Sequence, residues 1–541
     1  MAYLQRARFG WVVSALWLVM TACGSKPNSS GGGATGPSAG AGGNSGMMGS
    51  AGTGGSSNPG ASGGGAGTST GGGGTAGSAG AAGSVDAGAA GGSSGSSDAA
   101  GMGEAGTGGR ADGGPAGTPL GDAGAVAACP ATGLAGPGRV QISGSGTSFT
   151  ITRDGVPYYV KGIAGGANLG LAQQYGANSI RTFNSNGALA LLDAAASRCM
   201  TVLLGIELSV IAADYTNPTF MAAKRTEVAN LLATVRNHPA LLMWAVGNEI
   251  QLAPNVDTPT NLSFVQELAQ TIQQQDPNHP VITAVAGANT TAINNLVRSV
   301  PALNALGINA YAPIVNVVAD VARITAFTGP YLITEWGPTG WWEAPLTTWG
   351  RPIEETSAAK AQVFRTRYAA FAHRPRVLGD YVFLWAQKME ATPTWFGMFL
   401  ETNADLGLSG ESLPTVDGMA LEWSGAYPLN RAPDVTGVTL NGQPAIASVT
   451  LTAGRVVPAV VTATEPDGDT MSYVWEILQE PTLPVSNMGE LRPPRVGTPQ
   501  RGTMPTLNVT APAAAGQYRL FVYVLDGKGH VGTANIPFRV N

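Results

Sequence analysis

From Pro157 onward, short runs of almost unbroken apolar residues alternate with longer segments whose apolar residues return every third and fourth position. The first kind reads as strands buried on both faces and the second as helices with one apolar stripe. The strand candidates are Tyr158 to Ile163, Asn178 to Phe183, Thr201 to Leu208, Leu241 to Glu249, Val281 to Gly287, Ala305 to Tyr311, Tyr331 to Gly337 and Asp380 to Trp385. Between them lie helical patterns such as Gly187 to Arg198, Thr219 to Asn237, Leu262 to Gln275 and Thr356 to His373. Eight strands separated by helices predict a (β/α)8 barrel of the TIM type over residues 135–430, with its chemistry at the C-terminal ends of the strands. After Arg431 the pattern becomes strict alternation broken by Asp-Gly turns, as in Val456 to Ile477 and Tyr518 to Val540, which predicts an all-β sandwich over 431–541.

Composition changes the picture at the N-terminal end. Of 541 residues 77 are Gly, and only 12% are charged. The excess Gly lies in residues 24–128, a Gly, Ala, Ser and Thr run too poor in large apolar side chains to offset the entropy of ordering it. It reads as a disordered linker, with a root-mean-square reach on the order of 50–60 Å. Ahead of it, Arg6 and Arg8 precede an apolar run from Phe9 to Met20 and the small residues Thr21 and Ala22, a secretory signal too short for a comfortable membrane span. The string VMTAC, Val19 to Cys23, resembles a bacterial lipoprotein signal. That resemblance implies lipidation of Cys23, a signal covering residues 1–23 and an exported protein, at the outer membrane or cell surface or facing the periplasm, whose membrane contact is the lipid anchor. A net charge of −5 without any basic cluster argues against a nucleic-acid partner and for an uncharged substrate.

Scarce charge makes its placement informative. Polar residues collect at the strand ends: Arg181 on the second strand, Asn248 and Glu249 on the fourth, Tyr311 on the sixth, Glu335 and Trp336 on the seventh, and Trp385 on the eighth. Two carboxylates facing each other across a barrel mouth suit glycoside hydrolysis, in which one serves as acid and base and the other as nucleophile. AVGNEI (Ala245 to Ile250) and ITEWG (Ile333 to Gly337) resemble the two catalytic motifs of clan A glycoside hydrolases, and the likeness is nearest to the barrel of family 2. The KGI and IRTF strings also resemble β-1,3-glucanosyltransferases. The resemblance spans about Val156 to Tyr427. It implies Glu249 as acid/base, Glu335 as nucleophile, Asn248 as a partner of the sugar 2-hydroxyl, and Arg181 and Tyr311 as groups that keep Glu335 charged and oriented. It also implies Trp385 as an aromatic floor. The aromatics Trp336, Trp341, Trp342, Trp349, Trp395 and Phe396 follow the catalytic strands and suit the apolar faces of sugars, while any single Trp from Trp336 to Trp349 reads equally as core or loop packing.

The remaining candidates divide more evenly. Cys129 and Cys199 form one disulfide or stay as two unpaired thiols. Glu207, Glu343, Glu390 and Glu401 touch substrate or form ion pairs, while His238 and His373 read as structural. No metal-ligand spacing exists among the His and Cys residues, and neither metal nor cofactor is expected. The C-terminal part resembles Ig-like, PKD-like or cadherin-like modules. There Asp467, Asp469 and Asp526 suit turns as well as Ca²⁺. The expected activity is retaining hydrolysis of a β-linked polysaccharide or oligosaccharide of the β-glucan or β-mannan class. The alternatives are glucanosyl transfer with the same pair, and a non-catalytic surface glycan-binding lipoprotein.

Overall fold

The computed structural model describes Cys129 and residues 133–252, 255–481 and 491–541. The expected export signal, Cys23 and the Gly-rich run to Ala128 lie outside these residues. Eight strands close into a parallel barrel: β1 (Val160–Ala164), β2 (Ser179–Arg181), β3 (Thr201–Ile206), β4 (Leu241–Asn248), β5 (Val281–Ala286), β6 (Ala305–Asn309), β7 (Tyr331–Trp336) and β8 (Val377–Val382). Each pairs with its neighbours in chain order, and β8 returns to β1. The helices that follow them are α1 (Leu169–Gln174), α2 (Ala188–Ala196), α3 (Pro218–Val235), α4 (Pro259–Gln275), α5 (Thr290–Ser299), α6 (Val317–Ala322), α7 (Ser357–Phe371) and α8 (Pro414–Ser424).

The apolar runs become strands because both faces are covered. Leu203 of β3 joins Val160, Ile282 and Leu332 inside the barrel, while its neighbours Val202 and Leu204 pack under the helices. A hairpin of Val140–Ser145 and Ser148–Arg153 adds Val140 and Ile151 to the inner cluster. Helix starts are set by short polar side chains. Asn217, Thr258, Asn289 and Thr356 each accept a hydrogen bond from the first turn of α3, α4, α5 and α7.

Two irregularities aim the functional residues. The β4 ladder slips between Ala245 and Asn248, where Gly247 has φ 82° and Glu249 φ 52°. The β7 ladder slips against β6 between Ile333 and Glu335. Such bulges re-aim side chains at the rim of a barrel.

The C-terminal part contains β9 (Asp434–Leu440), β10 (Thr450–Leu451), β11 (Val456–Thr464), β12 (Ser472–Gln479), β13 (Arg495–Gly502), β14 (Thr506–Thr510), β15 (Gly516–Leu525) and β16 (Val531–Val540). They form two sheets, β9–β11–β14 and β10–β16–β15–β12–β13, around a core that includes Val461, Trp475, Val522 and Ile536. Barrel and sheets belong to one compact unit. Leu400, Leu406, Leu408 and Leu413 from the barrel side pack against Val474, Phe521, Tyr523 and Val531. Beside them the buried Glu354 accepts hydrogen bonds from Lys360 Nζ (2.5 Å), Thr392 Oγ1 (2.6 Å), Thr394 Oγ1 (2.8 Å) and Asn535 Nδ2 of β16 (2.6 Å). Burial pushes this carboxyl up, but Lys360, the Thr392 hydroxyl and the Arg519 charge more than offset it and hold it below the usual range. Cys129 and Cys199 are joined by a disulfide that ties the start of the described chain to the base of β3.

Candidate active site

Arg181, Asn248, Glu249, Asn309, Tyr311 and Glu335 meet at the C-terminal ends of β2, β4, β6 and β7. Glu335 is 4% exposed and is held from three sides. Tyr311 donates its hydroxyl to Oε1 at 2.8 Å, and Oε2 lies 3.3 Å from Arg181 Nη1 and 3.4 Å from Asn309 Nδ2. Burial, then the nearby Glu335 carboxylate, drives the Tyr311 hydroxyl well above its ordinary range, so it stays a neutral donor. Burial pulls the Arg181 guanidinium down while Glu335 and Glu249 pull it up, and a group with so high a starting value remains charged.

Arg181 also donates to Asn248 Oδ1 at 2.6 Å, and Asn309 Nδ2 reaches the same oxygen at 3.0 Å. That carbonyl is thereby filled, and the Asn248 amide nitrogen is the end of the side chain left to donate to a ligand. Glu249 is 6% exposed, and its Oε1 accepts from Asn309 Nδ2 at 2.9 Å.

Aromatic rings line the mouth. The Tyr311 ring meets Trp342 edge-on at 5.2 Å, Phe396 at 5.9 Å and Phe383 at 6.4 Å, and Phe183 lies 6.2 Å from Phe383. The Arg181 guanidinium stacks over Phe183 at 4.5 Å. Behind this layer Lys388 pairs with Glu390, whose Oε1 also accepts from Trp341 Nε1 at 3.0 Å.

Two expected platforms are elsewhere. Trp336 follows Glu335 in the strand and therefore faces the opposite side, where it packs against Phe364, Tyr368 and Phe371 of α7 and donates to Asp380. Trp385 is fully buried against Phe399 and Trp423. Strand β8 ends at Val382, so its alternation does not carry on to Trp385, and Phe383 takes the place at the mouth. Trp395 is buried with its Nε1 bonded to the Thr339 carbonyl. Glu343 accepts from the backbone N–H groups of Ala312 and Gly340 and links two mouth loops. Glu401 pairs with Arg492, His238 with Asp193, and His373 stacks on Tyr159. Glu207 is half-buried, and burial raises its carboxyl. Among the described residues no group of three or more His, Cys, Asp or Glu could hold a metal ion.

Asn309, Phe183 and Phe383 were missed as single site residues. Asn309 had a signal, being a polar residue two positions before Tyr311 in an otherwise apolar strand.

No curated protein matches the chain. Solved structures similar to it include a β-D-glucuronidase of Dictyoglomus thermophilum, at 13% identity and TM-score 0.39, covering 53% of this chain and 53% of that one. A putative β-galactosidase from Bacteroides fragilis matches at 12% identity and TM-score 0.41, covering 74% and 57%. A glycosyl hydrolase family 2 member from Bacteroides cellulosilyticus matches at 18% identity and TM-score 0.37, covering 73% and 50%. The chain thus spans about half the length of these proteins. Residues 173–338, which carry both mouth carboxylates and their Arg, Asn and Tyr partners, match the TIM barrel domain of glycosyl hydrolases family 2.

Proposed function

We propose that the protein is a retaining β-glycoside hydrolase acting on β-linked glycans of the β-glucan or β-mannan class. The observation that carries this reading is the shared contact of the two carboxylates. Glu249 Oε1 and Glu335 Oε2 lie 2.9 and 3.4 Å from the same nitrogen, Asn309 Nδ2. Those oxygens are therefore no farther apart than the two distances laid end to end. That bound on one pair of oxygens is compatible with the ~5–5.5 Å separation of a retaining pair.

Glu335, held in place by Arg181 and Tyr311, attacks the anomeric carbon while Glu249 gives its proton to the departing glycosidic oxygen. The C–O bond breaks and a glycosyl ester of Glu335 forms. Glu249, now a carboxylate, takes a proton from water, whose oxygen displaces Glu335 and restores both groups. The Asn248 amide donates to the 2-hydroxyl, and Phe183, Phe383 and Trp342 offer apolar faces to the sugar.

Export and anchoring through Cys23 belong to the same proposal, supported by the signal pattern and by a disulfide suited to an oxidising compartment. The test compares wild type with Glu335→Gln on β-glucans, mannans and aryl β-glycosides, with the anomer formed first read by NMR. Hydrolysis by wild type alone, releasing the β-anomer, is expected. Equal or absent hydrolysis in both would overturn the reading.

A further inference from the structure

We propose that Asn309 is a positioning residue that decides which oxygen of Glu249 carries the catalytic proton, by holding Oε1 with an N–H donor and leaving protonation to Oε2. The inference rests on Glu249 being the acid/base.

The orientation of the Asn309 amide is fixed by its surroundings. Its Oδ1 faces Arg181 Nη1 at 3.4 Å, which can only donate, and accepts the Thr334 hydroxyl at 2.7 Å. Its Nδ2 faces oxygens that only accept: Glu249 Oε1 at 2.9 Å, Asn248 Oδ1 at 3.0 Å and Glu335 Oε2 at 3.4 Å. A flipped amide would set its oxygen against two carboxylates and its nitrogen against a guanidinium. Two hydrogens serve three acceptors, and the two shorter contacts claim them. A proton on Glu249 Oε1 would therefore meet an N–H at 2.9 Å, donor against donor. With Oε1 closed, the proton of the neutral acid resides on Oε2.

The bond also favours the charged form of Glu249. Charged or titratable groups around it include Arg181 from β2, Glu335 from β7 and Tyr311 after β6. Arg181 is engaged with Glu335 and Asn248, and Asn309 is a neutral donor seated directly on Glu249. Removing it makes the proton harder to lose. Activity requires protonated Glu249, so the basic limb of the pH profile follows this group.

The experiment records kcat/KM against pH for wild type, Asn309→Ala and Asn309→Gln, on a 2,4-dinitrophenyl β-glycoside, which leaves without a proton, and on a methyl-umbelliferyl or alkyl β-glycoside, which needs one. In Asn309→Ala the basic limb is expected to move up by about one pH unit. The loss is expected to be roughly 10-fold or more larger for the substrate that needs the proton. Asn309→Gln, with a donor on a longer stem, recovers part of both. An unmoved basic limb with equal losses on the two substrates would overturn the proposal while leaving the glycosidase reading intact. Wild type inactive on every glycoside would overturn both.

Discussion

At the scale of single residues, a strand tells which neighbours share a face but not which face meets the ligand. Trp336 and Glu335 are adjacent, so only one of them can enter the mouth, and the other anchors α7. That anchor has a consequence for pH. Asp380 is fully buried and accepts from Trp336 Nε1 at 2.8 Å. Burial pushes its carboxyl up from 3.8 to about 8, against the smaller opposing pulls of Trp336 and Lys161. The folded chain therefore keeps a proton that the unfolded chain releases above pH 3.8, so this group's contribution to stability falls as pH rises from about 4 to about 8. Asp380→Asn keeps the acceptor for Trp336 and removes the linkage. Its thermal midpoint should equal wild type near pH 4 and exceed it increasingly toward pH 8, as read by calorimetry at several pH values. That Glu249 and Glu335 meet at the barrel mouth was legible in the sequence, because Glu is rare among apolar strand ends. Phe383 was not, because its place depends on where β8 stops.

At the scale of elements, all eight barrel strands and the principal helices were legible from periodicity, and the register slips at the mouth were not. A slip depends on pairing with a neighbour that the sequence does not display. Gly247 marks one of them. A Cβ at this position would meet Ile250 Cγ2 at 3.2 Å and Leu208 Cδ1 at 3.3 Å, on a backbone with φ 82° that side chains resist. Gly247→Ala is expected to lower stability by roughly 1 kcal/mol or more and to lower kcat further than that loss explains, since it shifts the bulge that aims Glu249. Urea unfolding beside kcat on one aryl β-glycoside separates the two effects. A remote cap supplies a contrast. The Asn289 side chain accepts from Ala292 N–H at 3.0 Å at the start of α5. Asn289→Ala should cost about 1 kcal/mol in the same unfolding experiment and leave kcat unchanged.

At the scale of the whole molecule, barrel and sheets share one buried seam. The change from helical to alternating pattern near Arg431 was legible, but the seam was not, since its leucines lie in the irregular stretch between β8 and α8 and its carboxylate, Glu354, just ahead of α7. Deleting residues 431–541 would bare Leu400, Leu406, Leu408 and Leu413 and take away Asn535 as a donor to Glu354. The shortened chain is expected to aggregate or to unfold at clearly lower temperature than the full one, as measured by size-exclusion chromatography and calorimetry.

The Cys129–Cys199 disulfide acts at this scale as well, because it closes a loop across a sequence separation of 70 residues. Seen mechanically, it is a load path. A pull applied to the chain ahead of Cys129 passes through the sulfur atoms to Cys199 and into the base of β3. The hairpin and the first two strand–helix units lie within the bypassed loop and bear none of the tension, so a barrel pulled at its leading end would not unravel from its first strand.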